Sequence, residues 1–194
     1  MFDDADEAVF LAQRAEDDEE SGWVDLTLFV ADDAGAEAQR LNQALLAQIV
    51  QAALELAGIQ QLVEVNLLVR GDAGLRELNR TYRGKDESTD VLSFPVLDEP
   101  LAQAPPEELW QDVTKPEVQF VTAPGLPLQL GDIAISYPTV LRQAVEAGHS
   151  SLHEFAFLLA HGILHLIGFD DQTEAGYQRM VALQNAALRQ LGIA

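Results

Sequence analysis

Apolar and polar positions alternate in WVDLTLFV, residues 23 to 30, and again in LVEVNLLVR, residues 62 to 70. Alternation in stretches this rich in Val, Leu and Phe predicts two strands with one buried face each. Between them, AEAQRLNQALLAQIVQAALELA, from Ala36 to Ala57, carries apolar residues at helical spacing and stops at Gly58, so a long amphipathic helix is predicted. A short helix follows from Gly71-Asp72 through GLRELNRTY. The polar turn RGKDESTD then leads into a third strand, VLSFPV, residues 91 to 96.

The period is lost from residue 98 to 130, where prolines crowd, and a long loop or surface insertion is expected at about 98–128. LGDIAIS, residues 130 to 136, reads as the fourth strand, and Pro138 is placed in the first turn of a helix that runs to Gly148. Ser151 and Glu154 have the spacing of a capping box ahead of FAFLLAHGILHLI, a helix that Gly168 ends. A last amphipathic helix spans roughly Thr173 to Leu191. The order of elements predicts an α/β (α+β) fold: a single layer of about four strands with about five helices packed on it.

Composition narrows this further. The chain has 194 residues, 48% of them hydrophobic, which suits one soluble domain over residues 23–194. No apolar run approaches the roughly 20 residues of a membrane-spanning helix, and the Met-Phe-Asp-Asp start lacks the basic region of a signal peptide. Cysteine is absent, so disulfides, thiolate metal sites and thiol nucleophiles are excluded; a reducing cytoplasm fits. The formal charge of -21 argues against a broadly basic nucleic-acid surface. Part of that excess belongs to residues 1–22, read as a solvated acidic leader.

The candidate chemistry is in HGILHLIGFDDQ, residues 161 to 172. Four residues advance a helix by about 6 Å and a little more than one turn, so His161 and His165 point the same way. Two imidazoles from one helix can take a divalent ion, and Gly168 allows the chain to reverse so that Asp170 or Asp171 folds back as a third ligand. Three protein ligands leave a fourth position open, as in catalytic zinc sites. The alternative is a pair of core histidines bonded to their neighbours. A zinc protease would carry glutamate after the first histidine as general base; Gly162 stands there, so peptide hydrolysis by that route is not expected, and close approach of a backbone or substrate is. Asp90 and Asp132 are expected to orient arginines or histidines, His149 to belong to a cap, and His153 to lie at the surface.

With its flanks included, this stretch resembles the metal motif of the YbeY family of bacterial endoribonucleases, three histidines separated by three and then five residues. LNRTYRGKDESTDVLSFP (78–95), LGDIAIS (130–136) and RQAVEAGHS (142–150) resemble the family's other blocks. The third histidine of the motif is replaced by Asp171, with Asp170 in its own place. A carboxylate there makes ion-bound water less acidic than a third imidazole would and favours harder ions. The resemblance implies a metal-dependent endoribonuclease of single-stranded RNA, with one zinc ion held by His161, His165 and Asp171 on a central helix. It implies ribosomal RNA maturation and ribosome quality control, in contact with the small ribosomal subunit or an assembly GTPase, in the cytoplasm, with neither DNA nor membrane as partner. His161 and Arg83 are the expected catalytic residues, and Arg83 and Lys85 the expected contacts to substrate phosphates. The alternative is a ribosome-assembly factor that acts by binding, its metal site structural or weakened.

Overall fold

The computed structural model describes residues 22–110 and 125–193. The acidic leader up to residue 21, and residues 111–124 of the proline-rich stretch, lie outside the described residues. The four predicted strands are present: β1 (Val24–Val30), β2 (Val63–Arg70), β3 (Val91–Pro95) and β4 (Leu128–Ser136). Five helices accompany them: α1 (Gln43–Leu56), α2 (Asp72–Arg83), α3 (Tyr137–Ala147), α4 (Ser151–Leu166) and α5 (Glu174–Leu191). They form one mixed sheet in the order β1-β2-β4-β3. β1, β2 and β4 run parallel, and β3 lies antiparallel along the β4 edge.

The alternation in β2 is what sets the layers. Val63, Val65, Leu67 and Val69 are fully buried on one face, beside Ile133 and Ile135 of β4. That face is covered by α1, α4 and α5 through residues such as Leu46, Ile49, Phe155, Leu159, Ile163 and Met180. Each such side chain contributes about 1.5–3 kcal/mol when fully buried, so this face holds most of the stability. The other face has a small cluster of Leu75, Leu92 and Ala134, with Leu68, Leu78 and Phe94 against it, and α2 covers only part of it. A bulge interrupts the β2–β4 register after Glu64, and Gly131 beside it has φ +130°. A side chain there would run into the Phe94 carbonyl, so glycine is needed for β3 to approach.

Two expectations about local structure are corrected. The first helix begins at Gln43, not Ala36, because the Asn42 side chain accepts from the amides of Ala44 and Leu45 and starts the helix there. The cap of α4 is Ser150, which accepts from His153 N at 3.1 Å. Glu154 therefore forms no capping box with Ser151; it is buried and lies 3.1 Å from His149 Nε2. Residues 100 to 110 of the proline-rich loop are tied to the end of α4. Leu101 N and Ala102 N both donate to the Ile167 carbonyl, Trp110 N donates to that of Gly168, and Leu109 bridges Phe169.

The start of α2 is tied to the start of α3 through one carboxylate. Asp72 accepts from Ser136 Oγ at 2.5 Å, Thr139 Oγ1 at 2.8 Å and Arg142 at 2.8 Å. The Arg142 guanidinium, aided by the two hydroxyls, holds the Asp72 carboxyl below the usual carboxylate range. A depressed carboxylate contributes stability above its unfolded pKa, and the contribution is lost as pH falls through the folded value. Asp72→Asn is expected to lower stability at pH 7 by no more than about 1 kcal/mol, since solvent screens this partly exposed carboxylate, and the difference should shrink as pH falls through the folded value. Urea titrations across that range check it; a constant difference at all pH values would count against the carboxylate as the cause.

Candidate metal centre

Helix α4 is buried along most of its length because it packs against both the sheet and three other helices. Gly162 explains how it gets so close. A Cβ on that residue would sit 2.9 Å from Ile133 Cδ1 and 3.2 Å from Ser93 Oγ. The close approach expected at this glycine is therefore made by side chains of β4 and β3, not by a backbone or substrate. With Gly162 against the sheet, His161 and His165 stand together on α4, each half-buried.

The two imidazoles meet edge to face, their Nε2 atoms 3.0 Å apart. His165 Nδ1 lies 3.0 Å from the Phe169 carbonyl. A carbonyl can only accept, so this nitrogen carries the proton and Nε2 presents its lone pair. Gly168, at φ +114°, reverses the chain and places Phe169 there, and Pro100 occupies the space that a side chain on Gly168 would need. Beyond the reversal, Asp171 Oδ2 is 3.7 Å from His161 Nε2 and 4.0 Å from His165 Nε2. Asp170 is turned away: its Oδ1 accepts from Gln172 N, and its own N donates to Glu108 O. Of the two tandem aspartates it is thus Asp171 that joins the histidines.

Burial, and then the neighbouring imidazole of His165, push His161 below the ordinary histidine range, while Asp171, Gln184 and Asp90 pull it back up. A neutral imidazole is the form that ligates. The three donor atoms lie within 4.8 Å of one another, and ligands of one ion at about 2.0–2.2 Å stand some 3.3–3.5 Å apart in a tetrahedral site. Two nitrogens and one carboxylate oxygen of this spacing could hold a metal.

Gln184 was not a candidate from the sequence. It is 1% exposed on a face of α5 that otherwise buries Met180, Leu183 and Ala187, and it stands against His161 while its Nε2 donates to Phe157 O. A polar residue in the apolar stripe of an amphipathic helix was the available signal. The expected phosphate contacts stand at the end of α2. Arg83 ends α2, Lys85 follows the Gly84 cap, and both are exposed with no side-chain hydrogen bond or ion pair among the described residues. Asp90 accepts from Val91 N, Thr89 Oγ1 and Gln143, and adds negative potential at His161. Asp132 accepts from Asn66 on the opposite face of the sheet. His153 is not the surface residue expected: its Nδ1 is buried without a partner, 4.4 Å from His149 between ring centres.

The turn that carries Asp171 is braced from α5 as well. A Cβ on Gly176, in the first turn of α5, would lie 1.9 Å from the Asp170 carbonyl oxygen. Gly176→Ala is therefore expected to push the 170–171 turn outward, lower stability by about 1–3 kcal/mol and weaken metal uptake together. Calorimetry with and without added Zn²⁺ tests this; a destabilised variant with unaltered metal affinity would separate the turn from the centre.

Fold and site together define a mixed α/β protein with a cluster of two histidines and one carboxylate at the end of a buried helix. The sequence profile of the endoribonuclease YbeY family matches residues 30–192, and the chain belongs to that family. It is 45% identical to an endoribonuclease YbeY of Moorella thermoacetica over 76% of this chain and 85% of that one. It is 41% identical to that of Roseiflexus over 79% and 86%, and 38% identical to that of Bacillus velezensis over 88% and 94%.

Proposed function

We infer that the protein is a metal-dependent endoribonuclease acting on single-stranded RNA in ribosomal RNA maturation and ribosome quality control. The observation that carries this is the clustering of His161, His165 and Asp171 in a chain of the endoribonuclease YbeY family. His161 and His165 would hold the ion through Nε2 and Asp171 through Oδ2. A divalent ion, zinc in our reading, supplies Lewis-acid polarisation of a phosphoryl oxygen and a nucleophile usable near neutral pH.

The chain's own groups do the rest. Phe169 fixes the tautomer of His165, and burial keeps His161 neutral, so both catalytic-site imidazoles face inward ready to ligate. Arg83 presents five N–H donors with no partner among the described residues, and takes the scissile phosphate in bidentate fashion while charge builds on its oxygens. Lys85 adds a point charge to a neighbouring phosphate.

With a net charge of -21, affinity for RNA outside this region is weak, and the small ribosomal subunit or an assembly GTPase positions the substrate in the cytoplasm. The carboxylate at Asp171 gives weight to a second reading, an assembly factor that binds and does not cut. The two are separated by incubating the purified protein with single-stranded ribosomal RNA. Cleavage that chelator abolishes and Zn²⁺ or Mn²⁺ restores is the expected result. Intact RNA under every metal condition would favour the assembly factor.

A further inference from the structure

The face of the sheet turned away from the metal centre is only half covered. Next to α2 it leaves a groove of about 480 Å³ lined by Phe29, Leu68, Leu78, Tyr82 and Phe94, with Asn66 and Asp132 in its floor. Tyr82 is 67% exposed and Phe29 55%, though both are large aromatic residues. Tyr82 stands edge-on to Phe94 at 5.1 Å between ring centres, so its position is set while one face of the ring stays open. Asn66 Nδ2 donates to Asp132 Oδ1 at 2.8 Å, which leaves the second carboxylate oxygen to accept from an N–H.

Two further observations say what fits. The first is charge. Arg70, Arg76, Arg142 and Arg179 are each paired with an acid. Arg83 and Lys85, like Arg40, Arg80 and Arg189, are unpaired among the described residues, and of these Arg83 directly follows Tyr82. An aromatic surface beside unpaired cations on an otherwise acidic protein suits a flat ring joined to a phosphate. The second is position. Phe94 and Ser93 are neighbours on the edge strand β3 and point to opposite faces. Ser93 meets the metal helix at Gly162, and Phe94 meets Tyr82. The groove and the helix that carries the histidine cluster therefore lie on the two faces of the same edge strand.

We propose that this groove is a nucleobase subsite: an unstacked base of a single-stranded RNA lies against Tyr82 and Phe29, an N–H of its edge donates to Asp132, and Arg83 and Lys85 hold the adjoining phosphates. The strand passes around the β3 edge between the groove and the metal centre. The proposal rests on the endoribonuclease reading for the identity of its ligand, and it explains how a strongly acidic protein grips RNA with few cations, since stacking on an aromatic ring carries no charge requirement.

The test uses the full chain in chelator, so that nothing is cut. Anisotropy of a labelled short single-stranded oligoribonucleotide is measured for wild type, Tyr82→Ala, Phe29→Ala and Tyr82→Phe, alongside an abasic oligomer of the same length. Each alanine variant is expected to raise the Kd for RNA by roughly tenfold with an unchanged melting temperature and salt slope. Tyr82→Phe keeps the ring and binds as wild type does. The abasic oligomer binds all four proteins alike. Wild-type affinity in both alanine variants, or no RNA binding by the wild type, would overturn the subsite. So would a wild-type dimer that either alanine variant dissolves, which would make the groove a contact between copies. RNA that binds through Tyr82 and is never cleaved under any metal condition would sink the nuclease reading alone. Cleavage combined with wild-type affinity in the alanine variants would sink the subsite alone.

Discussion

Asp171→Ala will purify folded, with a melting temperature close to wild type in chelator, but its affinity for Zn²⁺ will fall by more than the roughly 10- to 100-fold that loss of an outer-shell partner costs. The carboxylate is 39% exposed, and its only ion pairs among the described residues are with the two histidines, so no structural bond goes with it. What goes is the third donor atom, leaving two nitrogens on one helix. Asp171→His is expected to bind zinc at least as tightly as wild type, because a neutral imidazole replaces the carboxylate at the same place in the turn. Metal content after purification, followed by competition with a chromophoric chelator, reads both. An alanine variant that holds metal as wild type does would mean that Asp171 is a bystander near the histidines.

Arg83→Ala is expected to lower kcat/KM for single-stranded RNA by about 10²–10³-fold, the usual cost of removing one preorganised donor from a developing anion. The fold should not register the change, since Arg83 is exposed at the last residue of α2 and the cap of that helix is the left-handed Gly84. Arg83→Lys should recover only part of the loss, because an ammonium cannot make the paired bonds of a guanidinium. Single-turnover cleavage and thermal unfolding on the same preparations decide it. Activity and stability falling in step would mark Arg83 as structural.

What could be read from the sequence was whatever depends on neighbours along the chain. The alternation of β2 gave its buried face because Val63, Val65, Leu67 and Val69 need only period two. The histidine pair was legible because four residues of helix fix it; the glycine reversal offered Asp170 or Asp171 alike, and only the family resemblance chose between them. Helix starts were less so. Nothing in the apolar pattern tells Ala36 from Gln43, or Ser151 from Ser150; the side-chain oxygen that finds the free amides decides, and several candidates stood nearby. Hidden altogether was anything set by strand order. The groove takes Phe29 from β1, Asn66 from β2, Asp132 from β4 and Phe94 from β3, and no spacing brings these together before the register is known. The bracing of residues 100–110 against the end of α4 was missed for the same reason, since it is made of main-chain bonds that any sequence can form.

All three side chains of the metal cluster fall between residues 161 and 171, on one helix and the turn after it. Such a set survives denaturation in a way the groove does not: in urea the two imidazoles and the carboxylate remain within a few links of each other. An ion that binds the folded protein will also bind the unfolded chain, and whatever affinity the unfolded chain has is subtracted from the protection the ion gives. Added zinc should therefore raise the melting temperature by less than its affinity for the folded protein implies, and refolding should proceed with the ion already aboard, the helix turn closing around it before the sheet is paired.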